Sequence, residues 1–167
     1  TILNKAFLFY NEITINTEQK SSEKAKNYIR EGRVLQYGYF DNEKREYVID
    51  NVALPCSWTN YLGVEDMAAF INHTAGGYLF YKTPEYHRIS RFRGNGVPMD
   101  RPGFYVYIRD NEKKDYHSIS WQPVAKDLSK AKYRCRHGLS YTVYESEYDG
   151  LASSQTMVIP RGENVLL

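Results

Sequence analysis

The chain has 167 residues, with 22 Lys and Arg against 20 Asp and Glu, so its formal net charge is only +2. That length suits one domain with an appendage, and that balance excludes strong electrostatic capture of nucleic acid or anionic lipid. Hydrophobic residues at 42% and charged residues at 25% exclude wholesale disorder, and no apolar run approaches the roughly 18 residues a membrane helix needs. The first residues, Thr1 to Lys5, lack the features of a signal peptide, so a cytosolic protein is expected.

Residues 1–33 read as an N-terminal appendage and residues 34–167 as a β-domain. Within the appendage, 7–15 (FLFYNEITI) carries strand formers. Ser21 or Ser22 as cap, apolar Ala25, Tyr28 and Ile29, and Gly32 as stop predict a short helix over 22–31. From Arg33 onward short strands alternate with turn residues. Val34–Phe40 meets Asp41-Asn42-Glu43-Lys44 and returns as 46–50. Residues 69–74 run through Ala75-Gly76-Gly77 into 78–81, the Gly pair being expected to supply positive φ angles. A weak helical signal falls at 64–69. Phe104–Arg109 turns through 110–115 into 116–121, and the last hairpin joins 133–148 to 151–160 through Asp149-Gly150. Alternation of polar and bulky residues in 133–137 and 141–148 places one face inside and one in water. The 16 Tyr, 7 Phe and 2 Trp favour strands, so the expected fold is all-β, an antiparallel β-sandwich with a short appendage.

Chemistry-bearing clusters are sparse. Cys56 and Cys135 stand far apart with no C-x-x-C pair and no helix-spaced histidines, which predicts free buried thiols and no metal site. Cys135 and His137 share a strand face, but no helix N-terminus or nucleophile elbow activates the thiol, so the pair reads as structural. Glu145 and Glu147 read as outward charges, and Glu65-Asp66 as a solvated loop. The densest site-like stretch is the Pro- and Gly-rich loop that carries Arg91, Arg93, Asn95, Asp100 and Arg101, groups able to hold sugars or anions. Trp58, Asn60 and Tyr61 after Pro55 form a second candidate, in which the aromatic rings either stack on sugars or plug the end of the sandwich.

These loops also carry a family resemblance. YGYFD (37–41), REYVI (45–49), WTNYLG (58–63), AGGY (75–78), ISRFR (89–93), YIRD (107–110), SWQPV (120–124) and RHGLSY (136–141) resemble, in order, the start of the cellobiose and chitobiose phosphorylases of glycoside hydrolase family 94. TPEY (83–86) and QPVAK (122–126) lean toward the chitobiose type, VPMD (97–100) toward the cellobiose type. The resemblance implies an N-terminal β-sandwich ahead of a helical linker and an (α/α)6 barrel that holds the catalytic aspartate and the phosphate site. It implies phosphorolysis of a β-linked disaccharide with inversion: inorganic phosphate is co-substrate, no cofactor takes part, and the sandwich is non-catalytic. It further implies a saccharide ligand bound by the parent enzyme, a homodimer, and loops that reach the active-site rim. A free-standing carbohydrate-binding module and a single-strand nucleic-acid binder are the alternatives the residues leave open.

Overall fold

The computed structural model describes residues 28–30, 33–35, 37–91 and 102–167, and divides the chain into two compact units, Thr1–Gln36 and Tyr37–Leu167. In the first unit, β1 (Tyr28–Arg30) pairs antiparallel with β2 (Arg33–Leu35), Arg30 opposite Arg33. The helix expected over 22–31 is therefore corrected at 28–30; its remaining residues, like the strand expected over 7–15, lie outside the described residues. Tyr28 and Ile29 are good strand formers, and an available partner in Val34 and Leu35 overrides a three-residue helical periodicity.

The second unit is built from antiparallel sheets. β3 (Gly38–Asp41) and β4 (Glu46–Ile49) form the first hairpin, with the Asp41 carboxylate accepting the Glu43 and Lys44 amides at 3.1 Å. The single strand expected over 34–40 is thus split, its first part paired with β1 and its second with β4. β5 (Thr59–Leu62), β6 (Met67–Asn72) and β7 (Gly77–Tyr81) make a three-stranded meander, and β8 (Tyr107–Asp110) pairs with β9 (Asp115–Ser118). β10 (Ala131–His137), β11 (Tyr141–Tyr148) and β12 (Leu151–Val158) complete a five-stranded sheet in the order β12-β11-β10-β4-β3. Among the described residues no helix is long and apolar enough to cross a membrane.

The helical signal at 64–69 gives way to β6 because Met67, Ala69 and Ile71 point inward while Ala68, Phe70 and Asn72 point out, a period of two. Its turn to β7 also differs in detail from expectation. Ala75, not Gly76, takes the left-handed conformation (φ 63°). Asn72 makes this possible by accepting the Thr74 and Gly76 amides at 2.9 and 2.8 Å, and Gly77 is required because a Cβ there would lie 2.0 Å from the Phe70 carbonyl oxygen. Asp149 and Gly150, with φ of 52° and 81°, form the tight β11–β12 turn.

The core lies between the layers. Ile49, Cys135, Tyr144 and Met157 from the five-stranded sheet meet Leu62, Met67, Ala69 and Ile71 from the three-stranded one, with Ile119 after β9 closing the cluster. β10 shows the alternation most plainly: Ala131, Tyr133, Cys135 and His137 are buried while Lys132 and Arg134 are exposed. The unit is an all-β antiparallel sandwich.

Candidate functional site

Trp58 enters β5 from the loop after Pro55, and its ring stacks on Tyr47 with centroids 4.8 Å apart. Its backbone ties two histidines. The Trp58 amide donates to His73 Nδ1 at 3.2 Å and its carbonyl accepts the His73 amide at 2.9 Å. With Nδ1 accepting, the His73 proton sits on Nε2, which donates to the Val52 carbonyl at 3.1 Å. The same Trp58 carbonyl lies 3.4 Å from His137 Nε2.

Asn60 extends this network across the layers. Its Nδ2 donates toward the Gly138 carbonyl at 2.9 Å and toward the Tyr141 carbonyl and Thr142 Oγ1 at 3.2 Å each. With the His137 Nε2 hydrogen directed at the Trp58 carbonyl, Nδ1 accepts a hydrogen bond from the Thr142 hydroxyl at 3.0 Å, so β5, β10 and β11 are joined by one chain of donors and acceptors. Burial holds the His137 imidazole neutral, its pKa down at about 4, and burial also lowers His73. Cys135 Sγ lies 3.7 Å from His137 Nε2, but burial pushes the thiol well up, so both partners stay neutral and no thiolate–imidazolium nucleophile forms. Cys56, expected to be buried, is exposed, because its loop crosses the surface; both cysteines are free. The Trp58 backbone and the Asn60 Nδ2 group thus act together as a tie between the layers.

Tyr61 goes elsewhere. It faces outward from β5, opposite Phe70, whose other cross-strand neighbour is Tyr78. Tyr61 and Phe70 meet edge to face at 5.3 Å, Phe70 and Tyr78 stack at 5.4 Å, and Arg88 lies 4.9 Å from the Tyr78 centroid. Burial, then the neighbouring Tyr78, raises the Tyr61 hydroxyl. The stacked Phe70 and Tyr78 faces cover one another, whereas Tyr61, met only edge to face, stays exposed at the outer end of the row. Arg91 is exposed, and Arg93, Asn95, Asp100 and Arg101 lie outside the described residues.

A buried carboxylate that sequence patterning missed sits on the outer face of the large sheet. Glu46, 2% exposed, accepts Arg136 Nη1 at 2.8 and 3.1 Å and the Tyr141 hydroxyl at 2.6 Å, while Arg136 Nη2 reaches Glu145 at 3.0 Å. The cross-strand alternation of Arg134, Arg136 and Glu145 signals pairing, but nothing local reveals that Glu46, 90 residues from Arg136, joins it. Replacing Glu46 by Ala should cost about 2 kcal/mol of unfolding free energy, since Arg136 keeps Glu145, and Glu46→Gln should cost less. Urea melts read both, and a Glu46→Ala loss below about 0.5 kcal/mol would show the pair to be dispensable.

Beside this network, the rows Lys132–Glu147–Ala152 and Arg134–Glu145–Ser154 line a shallow groove of about 720 Å³. Glu147 is bonded to Lys132 at 2.9 Å and Glu145 to Arg136 at 3.0 Å, so neither acid is a proton donor set against an opposed base. Glu65 lies 3.7 Å from Arg161, and Asp66 accepts the Tyr81 hydroxyl at 2.9 Å. Among the described residues no three His, Cys, Asp or Glu side chains are grouped to hold a metal ion.

Comparison with known proteins supplies what this geometry does not. Residues 45–167 match the profile of the glycosyl hydrolase 94 supersandwich domain. Over 130 residues, 78% of this chain, it is 53% identical to an N,N'-diacetylchitobiose phosphorylase of Vibrio proteolyticus and 52% identical to one of Vibrio furnissii. It is 30% identical over 131 residues, 74% of the chain, to a solabiose phosphorylase of Paenibacillus borealis. The chain spans 16% of the length of each of these relatives. With the antiparallel sandwich on which those matched residues fold, the chain belongs to glycosyl hydrolase family 94, and residues 45–167 are its supersandwich portion.

Proposed function

We propose that this chain is the non-catalytic sandwich portion of an inverting phosphorylase that cleaves N,N'-diacetylchitobiose with inorganic phosphate. The observation that carries the substrate is the gap in identity: 53% and 52% to two diacetylchitobiose phosphorylases against 30% to a solabiose phosphorylase. The non-catalytic role is supported by the chemistry of the acids. Glu46, Glu145 and Glu147 are each bonded to Arg or Lys, so these carboxylates are engaged within the sheet rather than presented to a substrate. In the proposed reaction an acid outside this chain protonates the glycosidic oxygen while phosphate attacks the anomeric carbon from the opposite face. The β-bond breaks, N-acetylglucosamine leaves and α-N-acetylglucosamine 1-phosphate forms. Phosphate is the only co-substrate and no cofactor takes part.

The sandwich supports the barrel of a cytoplasmic homodimer in this reading, with Tyr61 and the 91–101 loop at the saccharide rim and Trp58 and Asn60 holding β5 behind it. The longer protein, given diacetylchitobiose and phosphate, should release the α-1-phosphate, and the 167-residue chain alone should release nothing. Free N-acetylglucosamine without phosphate uptake would overturn the reaction, and glucose 1-phosphate from cellobiose alone would overturn the substrate. Saturable sugar binding by the isolated chain, with quenching of tryptophan fluorescence, would favour a binding module instead.

A further inference from the structure

Among the described residues, four buried side-chain atoms have no hydrogen-bond partner: His117 Nε2, Tyr133 Oη, Ser146 Oγ and Gln155 Oε1. They are not scattered. Tyr133 on β10 stands directly opposite Ser146 on β11, and Gln155 on β12, opposite Tyr144, is the diagonal neighbour of Ser146. Strand alternation puts these residues, with Tyr144 and Tyr148, on the inner face of the large sheet. His117 arrives from β9. Its ring centroid lies 5.2 Å from that of Tyr148, and Tyr148 packs against the cluster that contains Tyr133.

The sizes of the side chains explain why these groups stay apart. Ser146 is flanked along its own strand by Tyr144 and Tyr148, and across the sheet by Tyr133 on one side and Ser153 on the other. A serine reaches far less deeply into a core than a tyrosine, so two serines abreast among three tyrosines leave a recess with the Ser146 hydroxyl as its floor. Two of those tyrosines have partners of their own: Tyr144 donates to the Asn72 carbonyl at 2.7 Å and Tyr148 to Asp115 at 2.6 Å. The Tyr133 hydroxyl and the His117 ring nitrogen do not. Buried polar groups left dry are costly, and native proteins satisfy them with protein atoms or ordered water. Ser146, His117 and Tyr133 are 2%, 4% and 6% exposed, covered by this chain's own residues, so the recess is closed to a sugar or to polypeptide from elsewhere.

We propose that the recess over Ser146 is a buried water site, in which one ordered water joins the Ser146 and Tyr133 hydroxyls of the large sheet to His117 Nε2 of the β8–β9 hairpin. The chemistry of the lining selects water over an ion. Each hydroxyl can donate or accept, and so can a neutral imidazole nitrogen according to its tautomer, a set that a molecule with two donors and two acceptors matches in any combination. Burial keeps the proton on Tyr133, and burial with the Lys126 charge lowers His117, so neither group carries charge near neutral pH. The two charges that act on His117, Lys126 and Asp115, are bonded to each other. An ion would therefore lie in this recess without a counter-charge. The water pins the β8–β9 hairpin to the sheet where no direct bond spans the gap, and this role is independent of the reaction of the longer protein.

A high-resolution crystal structure of the longer protein tests the site directly. It should show a water within about 3.2 Å of Ser146 Oγ, Tyr133 Oη and His117 Nε2. Well-ordered side chains with no water between them, a water that misses any of the three, or a direct bond between two of them would overturn the proposal. Thermal melts give a second, independent reading. Ser146→Ala and Tyr133→Phe each delete one hydroxyl without adding bulk, and each should lower the melting temperature of the longer protein by a few degrees. Because the two hydroxyls share one water, the double variant should lose clearly less than the sum of the single losses. Strictly additive losses, or no loss in either single variant, would count against a shared water. Neither measurement reads activity, so a wrong substrate or reaction leaves the outcome unaffected.

Discussion

Tyr144→Ala should lower the unfolding free energy by about 4 kcal/mol, the range expected when a fully buried aromatic ring is removed from a packed core. The Tyr144 side chain has no solvent exposure and stands on the inner face of β11 between Cys135 and Gln155, where both layers touch it. Its hydroxyl donates to the Asn72 carbonyl at 2.7 Å, which links β11 to the end of β6. That carbonyl also accepts the Ala75 amide at 3.1 Å, so it keeps a partner when the hydroxyl is deleted. Tyr144→Phe should therefore cost only about 1 kcal/mol. Urea unfolding of the two variants separates packing from hydrogen bonding. Equal losses in both would show that the hydroxyl, rather than the ring, carries the stability.

Acid should unfold the sandwich through His137. An unfolded histidine binds its proton near pH 6.5, whereas burial keeps His137 neutral down to about 4. Between those values the unfolded chain holds one proton more than the folded one, so falling pH favours unfolding. The contribution is fully present above about pH 6.5 and is lost progressively down to about pH 4. At about 1.4 kcal/mol per pH unit the full loss is about 3 kcal/mol. His73 and His117, both lowered by burial, act in the same direction. Denaturant midpoints at a series of pH values from 7.5 to 4.5 should fall steadily. His137→Gln, which can still accept from Thr142 and donate to the Trp58 carbonyl, should remove the largest part of that slope. A slope unchanged in His137→Gln would place the acid sensitivity elsewhere.

His137 illustrates what side-chain type alone conveys. Its position two residues from Cys135 on a strand placed both on one face, as the 3.7 Å approach of Sγ to Nε2 shows, and burial disfavours the charged form of each. Its partners Trp58 and Thr142 come from other elements. A hydrogen bond between residues 79 positions apart leaves no local trace in the sequence.

The antiparallel sandwich was legible because its causes are local. Period-two burial in 131–137, the Asp149-Gly150 turn and the Asp41 turn each depend on a few adjacent residues whose conformational preferences agree with the final fold. The same local logic failed at 28–30 and at 64–69. There a helical preference of a few tenths of a kcal/mol per residue met a strand partner or a buried face, and tertiary pairing outweighed it. Family membership was also legible, since it resides in the order of many short blocks rather than in any one contact. Whether a residue such as Trp58, Asn60 or Glu46 meets a ligand or another part of the chain was not. A half-buried Trp, an Asn amide and a Glu carboxylate are equally suited to a sugar and to a neighbouring strand, and only the folding of β5 and β4 against β10 and β11 decided that Asn60 holds backbone carbonyls and Glu46 holds Arg136.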